Sequence, residues 1–211
     1  MNRPADQPLD IAVLISGGGT TLRNLLECID RDELNVRVAL VISSRADAGG
    51  LAYAAAAGIS SLVVRRGDCD SAAAFRQAVF QPCRDAGVAL VVMGGFLKHL
   101  LIPADFEQRV VNIHPSLIPA FCGKGFYGMK VHQAVLDAGV EETGCTIHFV
   151  DNKYDHGPII LQRRVAVEPG DTAEQLAARV FATESEAYPQ VLQWISEGRV
   201  SVRDGTVVRR D

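Results

Sequence analysis

The chain has 211 residues, 48% of them apolar, and a formal charge of −4. That length suits one good-sized core, or a core with a small appendage, and no apolar run approaches the roughly 18 residues of a membrane span. The acidic balance lacks the basic footprint of a nucleic-acid binder, so a small anionic ligand would need local positive groups.

The first ten residues, MNRPADQPLD, are polar and proline-marked and read as a short flexible lead, not a signal peptide. IAVLIS (11–16) is a continuous apolar run that predicts a buried strand, and Leu22, Leu25, Leu26 and Ile29 follow at helical spacing. VRVALVISS (36–44) predicts a second strand, GLAYAAAAG a short helix stopped by Gly58, and SLVVRR (61–66) a third strand. DSAAAFRQAVF opens a helix capped by Asp70 or Ser71, which Pro82 should bend or end. VALVVMGG (88–95) is the most hydrophobic strand and belongs at the sheet centre. LKHLL and a turn from Pro103 then lead into RVVNIH.

This order, with uniformly apolar strands, implies an α/β fold: a Rossmann-like, mostly parallel sheet with helices on both faces. Antiparallel strands follow toward the C-terminus, where GCTIHFVD (144–151) and PIILQRRVAVEP (158–169) predict a pair. A helix over roughly 172–197 starts with Thr172 and Gln175 in capping-box spacing, and Asp204-Gly205 marks a terminal hairpin. No repeat or linker interrupts residues 11–211, which read as a single domain. Cys28, Cys69, Cys83, Cys122 and Cys145 are odd in number, scattered and without a C-x-x-C pair. That argues against a disulfide framework or a metal site and suits a cytoplasmic protein.

Two stretches carry chemistry. SGGGTT (16–21) joins the first strand to its helix, where converging amides and the helix N-terminus suit a phosphate. A tight structural turn is the alternative reading. As a dinucleotide fingerprint it fails, because Leu22 occupies the third glycine place and the second strand ends in Ser43-Ser44, not an acid. No G-K-[ST] follows, so it is not a P-loop. A phosphate monoester fits better, with Thr20 and Thr21 as extra donors. In VVNIHPSLIP (110–119), Asn112 and His114 interrupt a β-branched strand and point to one side. A lone strand-end histidine is usually structural. Ligands of open α/β sheets, however, bind outside the carboxyl ends of strands, where the glycine loop, Phe96-Leu97-Lys98 and these two residues should converge. The polar loop 151–162 adds Asp151 and Asp155.

SGGGTTL, VVMGGFLK, VVNIHPSLIPAF, TGCTIHFVD and YDHGPIILQ, in this order, resemble the glycinamide ribonucleotide formyltransferase family, the phosphoribosylglycinamide formyltransferases of the folate-dependent formyltransferase superfamily. The resemblance covers about residues 11–198. It implies the formyltransferase fold and direct formyl transfer from 10-formyltetrahydrofolate, as cosubstrate, to the amine of glycinamide ribonucleotide, the third step of de novo purine biosynthesis. It implies Asn112, His114 and Asp155 as catalytic residues. Gly19, Thr20, Thr21 and Glu184 would hold the nucleotide, although a solvated helix carboxylate is the plain reading of Glu184. Leu97, Lys98, His99, Leu100, Asn112, Asp151, Asn152, Lys153 and Tyr154 would hold the folate. No metal, nucleic acid or membrane is called for, and either a monomer or a homodimer is compatible.

The chain departs from the family pattern at four places. Thr21 stands where Asn is common, Lys98 where many members have Arg, and Ala72 where some have a second Arg. The loop GKGFYGMKVH (123–132) is longer than in many members, and Phe126, Tyr127 and Met129 would form a lid over the folate or pack elsewhere. Cys122 reads as a structural loop cysteine. Two enzymatic alternatives are a 10-formyltetrahydrofolate hydrolase, whose family shares the Asn, His and Asp, and a formyltransferase for a charged tRNA or sugar nucleotide. The first usually carries an extra N-terminal domain and the second, in tRNA enzymes, a C-terminal one. A plain phosphate-binding module would leave Asn112, His114 and Asp155 unexplained.

Overall fold

A computed structural model describes residues 7–210. Seven strands form one sheet: β1 (Leu9–Ile15), β2 (Val36–Ser43), β3 (Ser61–Val63), β4 (Leu90–Met93), β5 (Val110–His114), β6 (Glu142–Phe149) and β7 (Ile159–Ala166). Their order is β3-β2-β1-β4-β5-β6-β7, which puts β4 in the middle. The first five strands are parallel, whereas β5–β6 and β6–β7 are antiparallel. The helices are α1 (Thr20–Asp30), α2 (Gly50–Ala56), α3 (Ala72–Asp85), α4 (Met129–Asp137) and α5 (Ala173–Ser196). A separate hairpin, β8 (Val200–Arg203) and β9 (Thr206–Arg209), closes the chain and turns at Asp204-Gly205.

The apolar runs are uninterrupted because the strands are covered on both faces. Ile11, Val13 and Ile15 of β1 enter one core with Leu22 and Leu25 of α1, Ala54 of α2, Val135 of α4 and Leu176, Val180 and Tyr188 of α5. Ala12 and Leu14 enter the other, with Phe75, Val79 and Phe80 of α3 and Phe106. Alternation across each strand thus supplies both cores. The strand order reverses at β1, so the loops after β1 and β4 diverge and open a crevice between them.

Several local expectations hold and some change. Ser71 caps α3 through the Ala74 amide, and Thr172 and Gln175 form a reciprocal capping box on α5. The α3 helix continues through Pro82 to Asp85 instead of ending there. Its buried stripe of Phe75, Val79, Phe80 and Cys83 spans the proline and keeps the last turn docked. The third strand stops at Val63, because the chain turns through a short helical segment at Arg66–Asp68. The lead expected for residues 1–10 falls partly outside the described residues, and Leu9 and Asp10 already belong to β1. Among the described residues no helix is long and apolar enough to cross a membrane.

Tyr188 ties α5 to the sheet directly beneath the crevice. Its buried hydroxyl is 3.1 Å from both the Met93 and the Val111 carbonyls, at the ends of β4 and in β5. Replacing Tyr188 by Phe should cost about 1 kcal/mol, the net value of one such hydrogen bond. Urea unfolding should show a lower midpoint with an unchanged slope.

Candidate active site

The antiparallel turn of the sheet builds the polar face. Across β5 and β6, Asn112 lies opposite His148 and His114 opposite Thr146. Cys145 and Ile147, which alternate with Thr146 and His148 along β6, belong to the apolar core. Four polar side chains therefore share one face of two neighbouring strands. Thr146 serves the backbone: its hydroxyl donates to the Ser116 carbonyl at 2.7 Å and accepts from the Ile118 amide and the Gln162 side chain. It anchors the turn after β5, in which the Ile118–Pro119 peptide is cis.

The histidines are held by carbonyls, which only accept, so the bonded nitrogen must carry hydrogen. His114 Nε2 donates to the Phe121 carbonyl at 2.9 Å. Its Nδ1 lies 3.7 Å from Asp155 Oδ2. His148 Nδ1 donates to the Phe149 carbonyl at 2.8 Å. Burial pushes His148 below the usual imidazole range, so at neutral pH its Nε2 is an acceptor. Asn112 Nδ2 donates to that nitrogen at 3.2 Å, which orients the amide and leaves its second N–H for the cavity. Asp155 Oδ1 is 3.8 Å from the same His148 nitrogen, while Oδ2 accepts from the Gly123 amide at 2.8 Å. His148 was not singled out from sequence. Its period-2 spacing from Thr146 was visible, but its register against Asn112 was not.

A cavity of about 600 Å³ opens in front of this group. Asn112, His114 and Asp155 line it, as do Thr20, Thr21 and Glu184 on the nucleotide side expected from sequence. Leu97, Lys98, His99, Leu100, Asp151, Lys153 and Tyr154 line the other side. Two expected residues lie elsewhere. Gly19 is buried under α2: a Cβ there would sit 2.3 Å from Gly50 Cα, and its φ is +73°. It shapes the turn that presents Thr20 and Thr21. Asn152 turns away from the cavity. Its side-chain oxygen accepts from the Ile102 amide at 2.7 Å, and its carbonyl meets His99 Nε2 at 3.2 Å. With the His99 and Tyr154 rings 4.6 Å apart, these bonds join the 97–102 and 151–155 loops into one wall.

Asp151 and Asp155 have different surroundings. Burial pushes Asp151 up, but His156 at 2.6 Å and the Lys153 amide more than offset this and hold its carboxyl below the usual range. It braces its own loop, whereas Asp155 faces His114. The long loop from Gly123 to Gly128 also lines the cavity, with Tyr127 half exposed and stacked against Lys130 Nζ at 4.8 Å. The α1 N-terminus has no side-chain cap, so its first amides are not taken up by the chain's own side chains. Among the described residues no group of three or more His, Cys, Asp or Glu side chains is placed to hold a metal ion. The five cysteines are free thiols.

A parallel sheet with an antiparallel extension carries an Asn–His–Asp group that faces a cavity between a glycine turn and two loops. The chain belongs to the formyl transferase family, whose model matches residues 9–192. It is similar to the chloroplastic phosphoribosylglycinamide formyltransferase of Vigna unguiculata, at 40% identity over 194 residues. That match covers 90% of this chain but only 62% of the plant protein. The phosphoribosylglycinamide formyltransferase of Haemophilus influenzae is 35% identical over 198 residues, 92% of this chain and 90% of the relative. Among solved structures, glycinamide ribonucleotide transformylase 1 from Symbiobacterium toebii superposes with a TM-score of 0.88 at 38% identity. The superposition covers 97% of this chain and 95% of that one.

Glu184 is half-buried in the cavity wall, and burial pushes its carboxyl from 4.5 up to about 7. The folded state therefore holds a proton that the unfolded chain releases. Its favourable contribution is complete below pH 4.5 and is lost as pH rises through about 7. Glu184→Gln should remove this dependence. Thermal melts of the two proteins should converge near pH 5, and the variant should gain on the order of 1 kcal/mol at pH 8.

Proposed function

We propose that this protein transfers the formyl group of 10-formyltetrahydrofolate to the primary amine of glycinamide ribonucleotide. The observation that carries the reading is the Asn112–His114–Asp155 group set between a phosphate-sized turn and a wall suited to a flat heterocycle. The phosphate is assigned to Thr20, Thr21 and the α1 N-terminus. Glu184 faces the rest of the nucleotide. Leu97 to Leu100 and the 151–155 loop receive the folate, with peptide groups and apolar side chains contacting its pterin.

In the reaction the amine nitrogen attacks the formyl carbon, and the carbonyl oxygen becomes an oxyanion. The free N–H of Asn112 and the Nδ1–H of protonated His114 donate to it in a partly buried site, where such donors act strongly. The Asp155 carboxylate lies 3.7 Å from Nδ1 and lends this edge of the ring a negative neighbour. The new C–N bond forms and the bond to the folate nitrogen breaks. The proton leaves the attacking amine and reaches the departing nitrogen, with His114 as the side chain placed to carry it. No nucleophilic serine or cysteine takes part. Burial raises the Cys122 thiol, with Asp155 adding to the effect, so it is a poor nucleophile.

Turnover of 10-formyltetrahydrofolate should require glycinamide ribonucleotide. Equal release of folate product without the nucleotide would assign a hydrolase instead. Asp155→Asn should lower kcat by at least about a hundredfold, the scale of one acid–base or oxyanion contribution, while changing nucleotide affinity little. Near-normal kcat in that variant would remove the carboxylate–imidazolium pairing from the mechanism.

A further inference from the structure

Among the described residues, two buried side chains carry a polar atom without a hydrogen-bond partner: His132 Nδ1 and Thr143 Oγ1. Of the two, His132 lines the main cavity. A buried polar group left unpaired costs stability, so a ring held in this way calls for a partner that the free protein does not supply.

His132 stands at the start of α4, one turn before Val135, which packs with Leu176 and Val180 of α5. This brings the ring to the α5 side of the cavity, the side that carries Phe181 and Glu184. It also lies near enough to His114 for the two charges to oppose each other. The residue is only 5% exposed, and burial, with His114 adding to the effect, pushes it below the usual imidazole range. At neutral pH the ring is therefore uncharged and holds one hydrogen. Nδ1 is sealed off, and a sealed N–H without an acceptor is the costlier orphan, so the hydrogen belongs on Nε2. Nε2 is then the nitrogen through which His132 meets the cavity.

We propose that His132 is a specificity contact for the nucleotide, donating from Nε2 to the amide carbonyl oxygen of its glycyl arm. The inference rests on the glycinamide ribonucleotide reading above. In that substrate one methylene separates the amine from an amide carbonyl, and the ribose lies beyond the amide nitrogen. With the amine at His114 and the ribose on the Glu184 side, the carbonyl is the acceptor that falls between them. An uncharged donor suits this place, because a second cation beside His114 would be repelled.

The test combines two variants with one altered substrate. His132→Leu removes the donor at similar volume, whereas His132→Gln keeps an N–H at similar reach. His132→Leu should raise the KM for glycinamide ribonucleotide about tenfold, equivalent to about 1.4 kcal/mol. Its kcat and its KM for 10-formyltetrahydrofolate should stay within about twofold of wild type. His132→Gln should recover most of the lost affinity. The thioamide analogue of the nucleotide puts sulfur, a weak acceptor, in place of the carbonyl oxygen. The wild type should show a KM about tenfold higher for it than for the amide, and His132→Leu should treat the two alike. Thermal melts without substrate should give His132→Leu a midpoint at or above that of the wild type, because it no longer buries an unpaired nitrogen. An unchanged nucleotide KM in His132→Leu, or a lower melting midpoint, would overturn the contact. So would a wild type indifferent to the sulfur, or equal sensitivity to it in both proteins. Each of these results would leave the proposed reaction intact, whereas turnover that does not need the nucleotide would remove both.

Discussion

The antiparallel register of β5 against β6 is the constraint on which the site depends. A fully parallel sheet would have returned a helix after β5 and left Asn112 and His114 at a bare strand end. Reversal places His148 opposite Asn112, and the two form a bonded pair. The same reversal makes β6 and β7 a hairpin, whose 150–158 connection folds back over the polar face and delivers Asp155 to His114. Sheet topology and side-chain chemistry are thus one fact: the strand that completes the sheet also supplies the partner that orients the amide.

Around this centre the fold divides labour between rigid and adaptable parts. Tyr188, Thr146, Ser16 and Ser44 are buried polar groups that spend their hydrogen bonds on backbone, on each other or, for Thr146, also on Gln162. They hold the strand ends and loops in place. The groups facing the cavity keep part of their capacity open: one N–H of Asn112, Nδ1 of His114 and the uncapped amides of α1. Buried polar groups without partners are costly, so such open capacity belongs where a ligand can meet it. His132 fits the same pattern, because its buried Nδ1 has no partner and the residue lines the cavity.

Much of the architecture was legible from local rules. Continuous apolar runs marked the doubly covered strands, Thr172 with Gln175 marked the start of α5, and Asp204-Gly205 marked the last turn. The shared side of Asn112 and His114 followed from strand alternation alone. What escaped depends on distant contacts. The place of His148 is a matter of register, which hydrophobic pattern leaves open when a strand is buried on both faces. At Gly19 the need for a glycine is set by Gly50 of α2, thirty-one positions along the chain, which no local pattern reveals. Pro82 looked like a helix end, and tertiary packing of its neighbours overrode it. Asn152 shared a polar loop with Asp151 and Asp155, but only its pairing with Ile102 shows which way it turns.

Gly157 gives the 150–158 connection an unusual foundation. A side chain there would run into the Phe149 carbonyl at 1.9 Å, and the Phe149 amide bonds the Pro158 carbonyl at 2.9 Å. The loop is therefore cinched at its neck, with its two strands tied below. In evolutionary terms such a neck isolates change. A change of loop length above the neck can alter the cavity wall without propagating into the sheet. The polar face of β5 and β6 is in this way insulated from changes in the loop that covers it.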